Sequence, residues 1–82
     1  MNFAWDPRKA ADNRRKHSVS FEEAATALSD PLSVTGADPD HSLDERRFVT
    51  FGMSSLGRLL AVANTEGGDM LRIISARPAT KL

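Results

Sequence analysis

Residues 47–76 read RFVTFGMSSLGRLLAVANTEGGDMLRIISA, and this stretch decides the fold. It contains three runs with strong strand character, which are Arg47–Met53, Arg58–Thr65 and Met70–Ala76. The segments that separate them, Ser54–Gly57 and Glu66–Asp69, have the length and glycine content of hairpin turns. Because consecutive hairpins pair neighbouring strands in opposite directions, the sequence predicts an antiparallel meander in the C-terminal half of the chain.

Two helices are predicted ahead of this sheet. Asp6 and Pro7 mark the start of the first, because the carboxylate can accept from free N–H groups and proline suits the first helical position. This helix is expected to end near His17. A capping box at Ser20 and Glu23 starts the second helix: the hydroxyl bonds the N–H of Glu23, and the carboxylate bonds back. An apolar stripe at helical spacing follows, at Phe21, Ala24, Ala25 and Leu28.

Short segments on either side of the helices complete the fold prediction. Phe3–Trp5 is either a short strand or an apolar lead-in to the first helix. Leu32 and Val34 alternate with polar residues, as in a short strand. We therefore expect an α+β fold in which two N-terminal helices precede an antiparallel β-meander of three to four strands, as a single domain over residues 1–82.

The composition excludes several classes of protein. The chain has 82 residues and no cysteine, which excludes disulfide scaffolds, thiolate zinc sites and cysteine nucleophiles. No apolar run approaches the ~18 residues that a membrane-spanning helix needs, and no signal-peptide-like segment follows the first residue. We expect a cytoplasmic protein that makes no contact with a membrane.

The formal net charge of zero conceals three charged blocks. Residues 1–19 hold five basic and two acidic residues, residues 20–45 hold seven acidic and no basic ones, and residues 46–82 hold six basic and two acidic ones. On the first predicted helix, one face carries Lys9, Asn13, Lys16 and His17. This polar face suits an anion such as a phosphate, and charge blocks of this kind favour a charged partner such as nucleic acid.

Common metal and catalytic motifs are missing from the sequence. The acidic loop of residues 38–45 lacks the spacing of a calcium loop, and His17 and His41 lack the helical spacing of a zinc site. Ser54 and Ser55 have no triad pattern nearby, and there is no glycine-rich phosphate loop. We therefore expect neither a metal nor a cofactor.

A longer pattern of residues runs through nearly the whole chain. Its members are Phe3, Trp5, Asp6, Lys9, Asn13, Lys16, His17, Val19–Ala24, Asp30, Pro31, Asp40–Ser42, Glu45, Arg47, Gly57–Leu60, Thr65 and Arg72–Arg77. In this order they resemble the BrnT family, the toxin half of a bacterial type II toxin–antitoxin pair, which is related in fold to the RelE-type toxins that cleave messenger RNA.

The resemblance implies an activity and a set of partners. RelE-type cleavage is a metal-free attack of a ribose 2′-OH on the adjacent phosphate, and it inhibits translation. The expected partners are RNA and a BrnA-like antitoxin of the ribbon–helix–helix type, with which the toxin forms a hetero-oligomer. DNA would be contacted only indirectly, through the antitoxin.

The resemblance also assigns candidate roles to particular residues. Arg72 and Arg77 would stabilise the charge of the phosphorane, since the guanidinium fork binds phosphate in a bidentate way, and Lys16 would support them. His17 would transfer a proton, because histidine is the side chain that titrates closest to physiological pH. The candidate RNA-binding residues are Lys9, Asn13, Trp5, Arg8 and Arg47.

Each role has a structural alternative that the residues alone leave open. The two arginines could form ion pairs with the acidic block, and His17 could cap the helix C-terminus. Trp5 could stack on an RNA base or belong to the core, and Asn13 could orient a phosphate or cap a neighbouring strand. Regular alternation along the last strand predicts that Arg72 and Arg77 lie on opposite faces of the sheet.

The chain departs from the family pattern at two places. Ser18 stands where the family usually has glycine, and Pro78 interrupts the region where the family continues into a basic segment and a closing helix. The alternative function is therefore a weakened or inactive module that only binds an antitoxin and takes part in operon autoregulation. A third is RNA binding without cleavage. For the nuclease, we expect positions 9, 13, 16 and 17 to lie within reach of Arg72 or Arg77.

Overall fold

The computed structural model describes residues 2–38 and 46–79. The elements in chain order are β1 (Asn2–Ala4), α1 (Pro7–His17), α2 (Phe21–Leu28), β2 (Val34–Ala37), β3 (Arg47–Met53), β4 (Leu59–Gly67) and β5 (Met70–Pro78). The predicted acidic loop, with His41, lies outside the described residues except for Asp38. The expected α+β class with two helices is confirmed.

The sheet differs from the predicted meander. Five strands form one mixed sheet in the order β1-β5-β4-β3-β2, and β1 pairs with β5 in parallel while the other pairs are antiparallel. The prediction of three to four antiparallel strands is therefore wrong. Parallel pairing of β1 places Phe3 opposite Leu71, and contacts between residues so far apart in sequence leave no local signal.

The helices cover one face of the sheet and form the core with it. The fully buried side chains of this core are Val19, Phe21, Ala24, Ala27, Leu60, Val62, Ile73 and Ala76. Gly52 of β3 lets α2 approach the sheet closely, since a Cβ at this position would lie 2.2 Å from the carbonyl oxygen of Ala27. Gly52 therefore faces α2, and the flanking residues of β3 point to the opposite, uncovered face.

A β-bulge in β5 changes the direction of its side chains. Ser75 pairs with Ala63 and Ile73 pairs with Asn64, which leaves Ile74 as an extra residue. Because the bulge shifts the alternation by one residue, Arg72 and Arg77 both lie on the uncovered face of the sheet. The prediction that they lie on opposite faces is wrong.

The start of α2 confirms half of the predicted capping box. The hydroxyl of Ser20 accepts from the N–H of Glu23 at 3.0 Å. The carboxylate of Glu23 does not bond back; it accepts from the Nε of Arg58 at 3.0 Å and from the hydroxyl of Ser54 at 2.7 Å. Because the guanidinium of Arg58 carries a full positive charge and Ser54 donates a further bond, the carboxylate is held away from the backbone N–H that the capping box predicts. These contacts, with the bond from Arg58 to the carbonyl of Ser18 at 3.0 Å, join α2 to the residue that follows α1 and to the residue that precedes β4.

Candidate functional site

Helix α1 is attached to the outer edge of β5 by a buried asparagine. The Oδ1 of Asn13 accepts from the N–H of Ala76 at 3.0 Å, and its Nδ2 donates to the carbonyls of Ala76 and Val19 at 2.8 and 2.9 Å. The side-chain amide thus takes the place of a neighbouring strand beyond the end of β1, and the residue is only 5 % exposed. This geometry is that of the strand-capping alternative.

A shallow cavity of about 250 Å³ lies between α1 and β5. Its lining residues are Lys9, Asp12, Asn13, Lys16, His17, Ile74 and Ser75. The four residues predicted to share one helix face therefore come together. Asp12 joins them, with an Oδ2 that is 3.2 Å from the Nζ of Lys16, and it also pairs with Arg15. The hydrogen bond from Lys16 holds the pKa of Asp12 below its ordinary value, and the positive charge of Arg15 adds to the effect.

A second cavity of about 240 Å³ lies on the uncovered face of the sheet. Its lining residues are Asp38, Arg47, Val49, Ala61, Ala63, Ile74, Ser75 and Arg77. Both cavities include Ile74 and Ser75, so they meet at the bulge of β5. We call the continuous region that carries Lys9, Lys16, His17, Arg47 and Arg77 the basic surface.

The two arginines of β5 differ in their position relative to the basic surface. Arg77 lines the cavity on the uncovered face, and among the described residues its side chain makes no hydrogen bond or ion pair. Arg72 lines neither cavity and pairs across the sheet with Thr65, in the same row as Arg47. The cavity of the helix face thus shares Ile74 and Ser75 with the cavity of Arg77, whereas Arg72 lines neither.

Two further candidates lie away from both cavities. Trp5 packs against the core, and its ring meets that of Phe21 edge to face with 6.0 Å between centroids. This is the core alternative for Trp5. Arg8 is exposed at the start of α1, where its backbone N–H donates to the capping carboxylate of Asp6 at 2.8 Å.

Sequence reasoning missed the two acidic members of the cavities. Asp12 and Asp38 each lie beside basic residues of the basic surface. The spacing of four between Asp12 and Lys16 on one helix is a signal that could have found the first. No comparable signal exists for Asp38, since its position depends on the pairing of β2 with β3.

The arrangement is suited to holding a phosphodiester. Cationic side chains from α1, β3 and β5 surround the bulge, and His17 at the end of α1 adds a group that can carry a proton. Within residues 2–38 and 46–79, no group of three or more His, Cys, Asp or Glu side chains is placed to hold a metal ion. No helix in the described part of the chain is long and apolar enough to cross a membrane.

Comparisons with known proteins identify a family. A family model described as the ribonuclease toxin BrnT of type II toxin–antitoxin systems matches residues 5–82. The crystal structure of the Brucella abortus ribonuclease toxin BrnT is similar to this chain, with a TM-score of 0.73 and 25 % sequence identity, over 99 % of each chain. No curated protein sequence matches significantly. The residues matched by the family model include every residue that lines the two cavities.

Proposed function

Because this chain belongs to the BrnT family of ribonuclease toxins from type II toxin–antitoxin systems, we propose that it is a RelE-like endoribonuclease that inhibits translation in the cytoplasm. It cleaves RNA without a metal and is neutralised by a BrnA-like ribbon–helix–helix antitoxin in a hetero-oligomer. The pair contacts DNA only through the antitoxin. The observation that supports this function most is that the cavity lined by the α1 face and the cavity lined by Arg77 share Ile74 and Ser75 at the bulge of β5.

In the proposed reaction, the ribose 2′-oxygen attacks the adjacent phosphorus and the bond to the 5′-oxygen breaks. Arg77, with Lys16 and Lys9, stabilises the negative charge that builds up on the phosphoryl oxygens. The reaction needs one proton removed from the 2′-hydroxyl and one supplied to the leaving 5′-oxygen; His17 takes up the first as a base and, as the imidazolium so formed, supplies the second. An incoming phosphate competes with Asp12 for Lys16.

The remaining candidates support this reaction from further away. Arg47 and Arg72 form one row of the uncovered face and contact the RNA backbone beyond the scissile phosphate. Arg8 adds positive charge at the start of α1. Asn13 is a positioning residue, since it fixes α1 to β5, and Trp5 contributes by packing the segment before α1 against the core.

The test is cleavage of single-stranded RNA by the purified chain, with and without EDTA. Arg77→Ala is expected to reduce kcat/KM by about 10²-fold or more, because it removes a charge that acts in the transition state. Arg14→Ala is the matched control, since Arg14 is an exposed arginine of α1 that lines neither of the two cavities. Its activity should equal that of the wild type.

Two results would contradict the proposal. One is cleavage that disappears in EDTA, because the proposed chemistry uses no metal. The other is normal growth on induction of the chain alone while antitoxin binding persists. That outcome would favour the module that only binds an antitoxin.

A further inference from the structure

The uncovered face of the sheet carries a contiguous group of exposed apolar side chains. Val34, Phe51, Met53 and Leu59 are 68, 47, 48 and 48 % exposed, and we call them the apolar patch. Val34 pairs with Phe51 across β2 and β3, and Met53 pairs with Leu59 across β3 and β4, so the four are neighbours on one face. Exposure of such a group to water is unfavourable and is typical of an interaction site.

The apolar patch adjoins the basic surface through the register of the sheet. One cross-strand row contains Val34, Phe51, Ala61 and Arg77. Since neighbouring strands are about 4.8 Å apart, Phe51 of β3 and Arg77 of β5 are separated by about 10 Å. This distance is close to the width of an α-helix with its side chains, about 10–12 Å. One helix lying on the apolar patch would therefore also cover Arg77.

The charges of this face indicate what kind of helix fits. Its charged side chains within residues 34–38 and 46–79 are Arg47, Arg72, Arg77 and Asp38, which leaves an excess of positive charge beside the apolar patch. RNA would match the arginines but would leave Val34, Met53 and Leu59 without apolar contacts. An amphipathic helix with acidic residues along one border matches both parts.

We propose that the apolar patch anchors an acidic amphipathic helix of the antitoxin, and that this helix covers Arg77 and so excludes RNA. The identity of the partner rests on the proposed function, while the location and chemistry of the contact come from the face itself. In the free chain, helices cover only one side of the sheet. Binding of the partner would add a helical layer on the other side, which is the usual way of covering both faces.

Toxin and antitoxin of such a pair are expected to be encoded side by side, so the experiment measures the affinity of this chain for the purified product of the adjacent reading frame by titration calorimetry. Phe51→Ser and Leu59→Ser are each expected to weaken binding by roughly tenfold to 100-fold, because each removes a large apolar side chain from the contact. Leu56→Ser is the matched control: Leu56 is 71 % exposed but lines a groove with Arg14 and Glu23, on the helix-covered side. Its affinity should equal that of the wild type.

RNA cleavage separates this inference from the proposed function. Phe51 and Leu59 are not part of the basic surface, so their serine variants should cleave RNA as the wild type does and resist neutralisation. In cells, they should arrest growth even when the adjacent reading frame is co-expressed. If the wild-type protein does not cleave RNA but Phe51→Ser still binds the antitoxin more weakly than the wild type, the nuclease function is overturned and the contact is supported.

The inference is wrong if the wild-type chain does not bind that protein, or if both serine variants bind it as tightly as the wild type. It is also wrong if sedimentation shows that the free chain is a dimer, that Phe51→Ser makes it a monomer, and that the affinity for the antitoxin is unchanged. The apolar patch would then join two copies of this chain. Circular dichroism of both variants checks that they are folded.

Discussion

Arg58 and Arg77 lie in two charged regions with different roles: Arg58 belongs with Glu23 to what we call the paired region, and Arg77 belongs to the basic surface. Arg58 donates to the carboxylate of Glu23 and to the carbonyl of Ser18, so its charge is paired within the fold. Arg77 is exposed on the basic surface and, among the described residues, its side chain makes no hydrogen bond or ion pair. Pairing, rather than residue type, therefore separates a structural arginine from one that is available to a ligand.

Removing the carboxylate of the paired region should produce the largest change in stability. Glu23 has a side chain that is only 5 % exposed, and Glu23→Ala leaves the guanidinium of Arg58 without its partner. Because Arg58 keeps contact with water, the expected loss in the free energy of unfolding is smaller than for a fully buried pair, about 2 kcal/mol. Urea unfolding followed by circular dichroism measures it.

The activity of the same variant should be nearly unchanged. Below its unfolding transition, Glu23→Ala should cleave RNA within about threefold of the wild type, because it removes no charge from the basic surface. Arg77→Ala should behave in the opposite way, with wild-type stability and little cleavage. The division between the two regions fails if each variant loses both properties.

The pH dependence of stability should also report the paired region. Arg58 holds the pKa of Glu23 below its ordinary value, so the folded state binds a proton less readily than the unfolded chain. The stabilisation is therefore complete above the ordinary pKa of about 4.5 and is lost as the pH falls through the lower folded-state pKa. Below that pH, protonation is no longer a difference between the two states.

Glu23→Gln tests this assignment, since glutamine keeps the shape of the side chain and does not titrate. Its urea midpoint should fall less than that of the wild type between about pH 6 and pH 3. The remaining fall would come from other carboxyls with lowered pKa values, such as Asp12 and Asp30. Equal falls in both proteins would show that Glu23 contributes nothing to the acid sensitivity.

Sequence reasoning succeeded where the signals are local. The first helix has the predicted bounds because Asp6 and Pro7 fix its start, and the face of α1 assembles as predicted because helical spacing alone determines it. Strand β3 likewise has its predicted limits, Arg47–Met53. These features depend on residues within one or two turns of each other.

The failures all depend on contacts between distant residues. The parallel pairing of β1 with β5 and the bulge at Ile74 are set by tertiary packing, and the bulge decides that Arg72 and Arg77 share a face. The carboxylate of Glu23 follows the capping pattern in sequence but bonds to Arg58, which lies 35 residues away. A local sequence pattern indicates which hydrogen-bond partner a side chain could have, whereas tertiary packing determines which partner it binds in the folded protein.

Substitution of Asp12 should have the smallest effect on RNA binding and is the most direct test of the basic surface. It pairs with Lys16 and Arg15, so Asp12→Asn should release Lys16 for a phosphate. We expect RNA affinity to rise by about threefold at low salt, and the slope of log affinity against log salt to steepen by about 0.7, the value for one more phosphate contact on a single strand. Fluorescence anisotropy of a labelled RNA measures both, and stability should change little because the pair is exposed.

Asp69→Asn is the matched control, since it removes the same charge in the turn between β4 and β5. If both variants raise the affinity equally, only net charge has changed, and Lys16 does not belong to the RNA-binding surface.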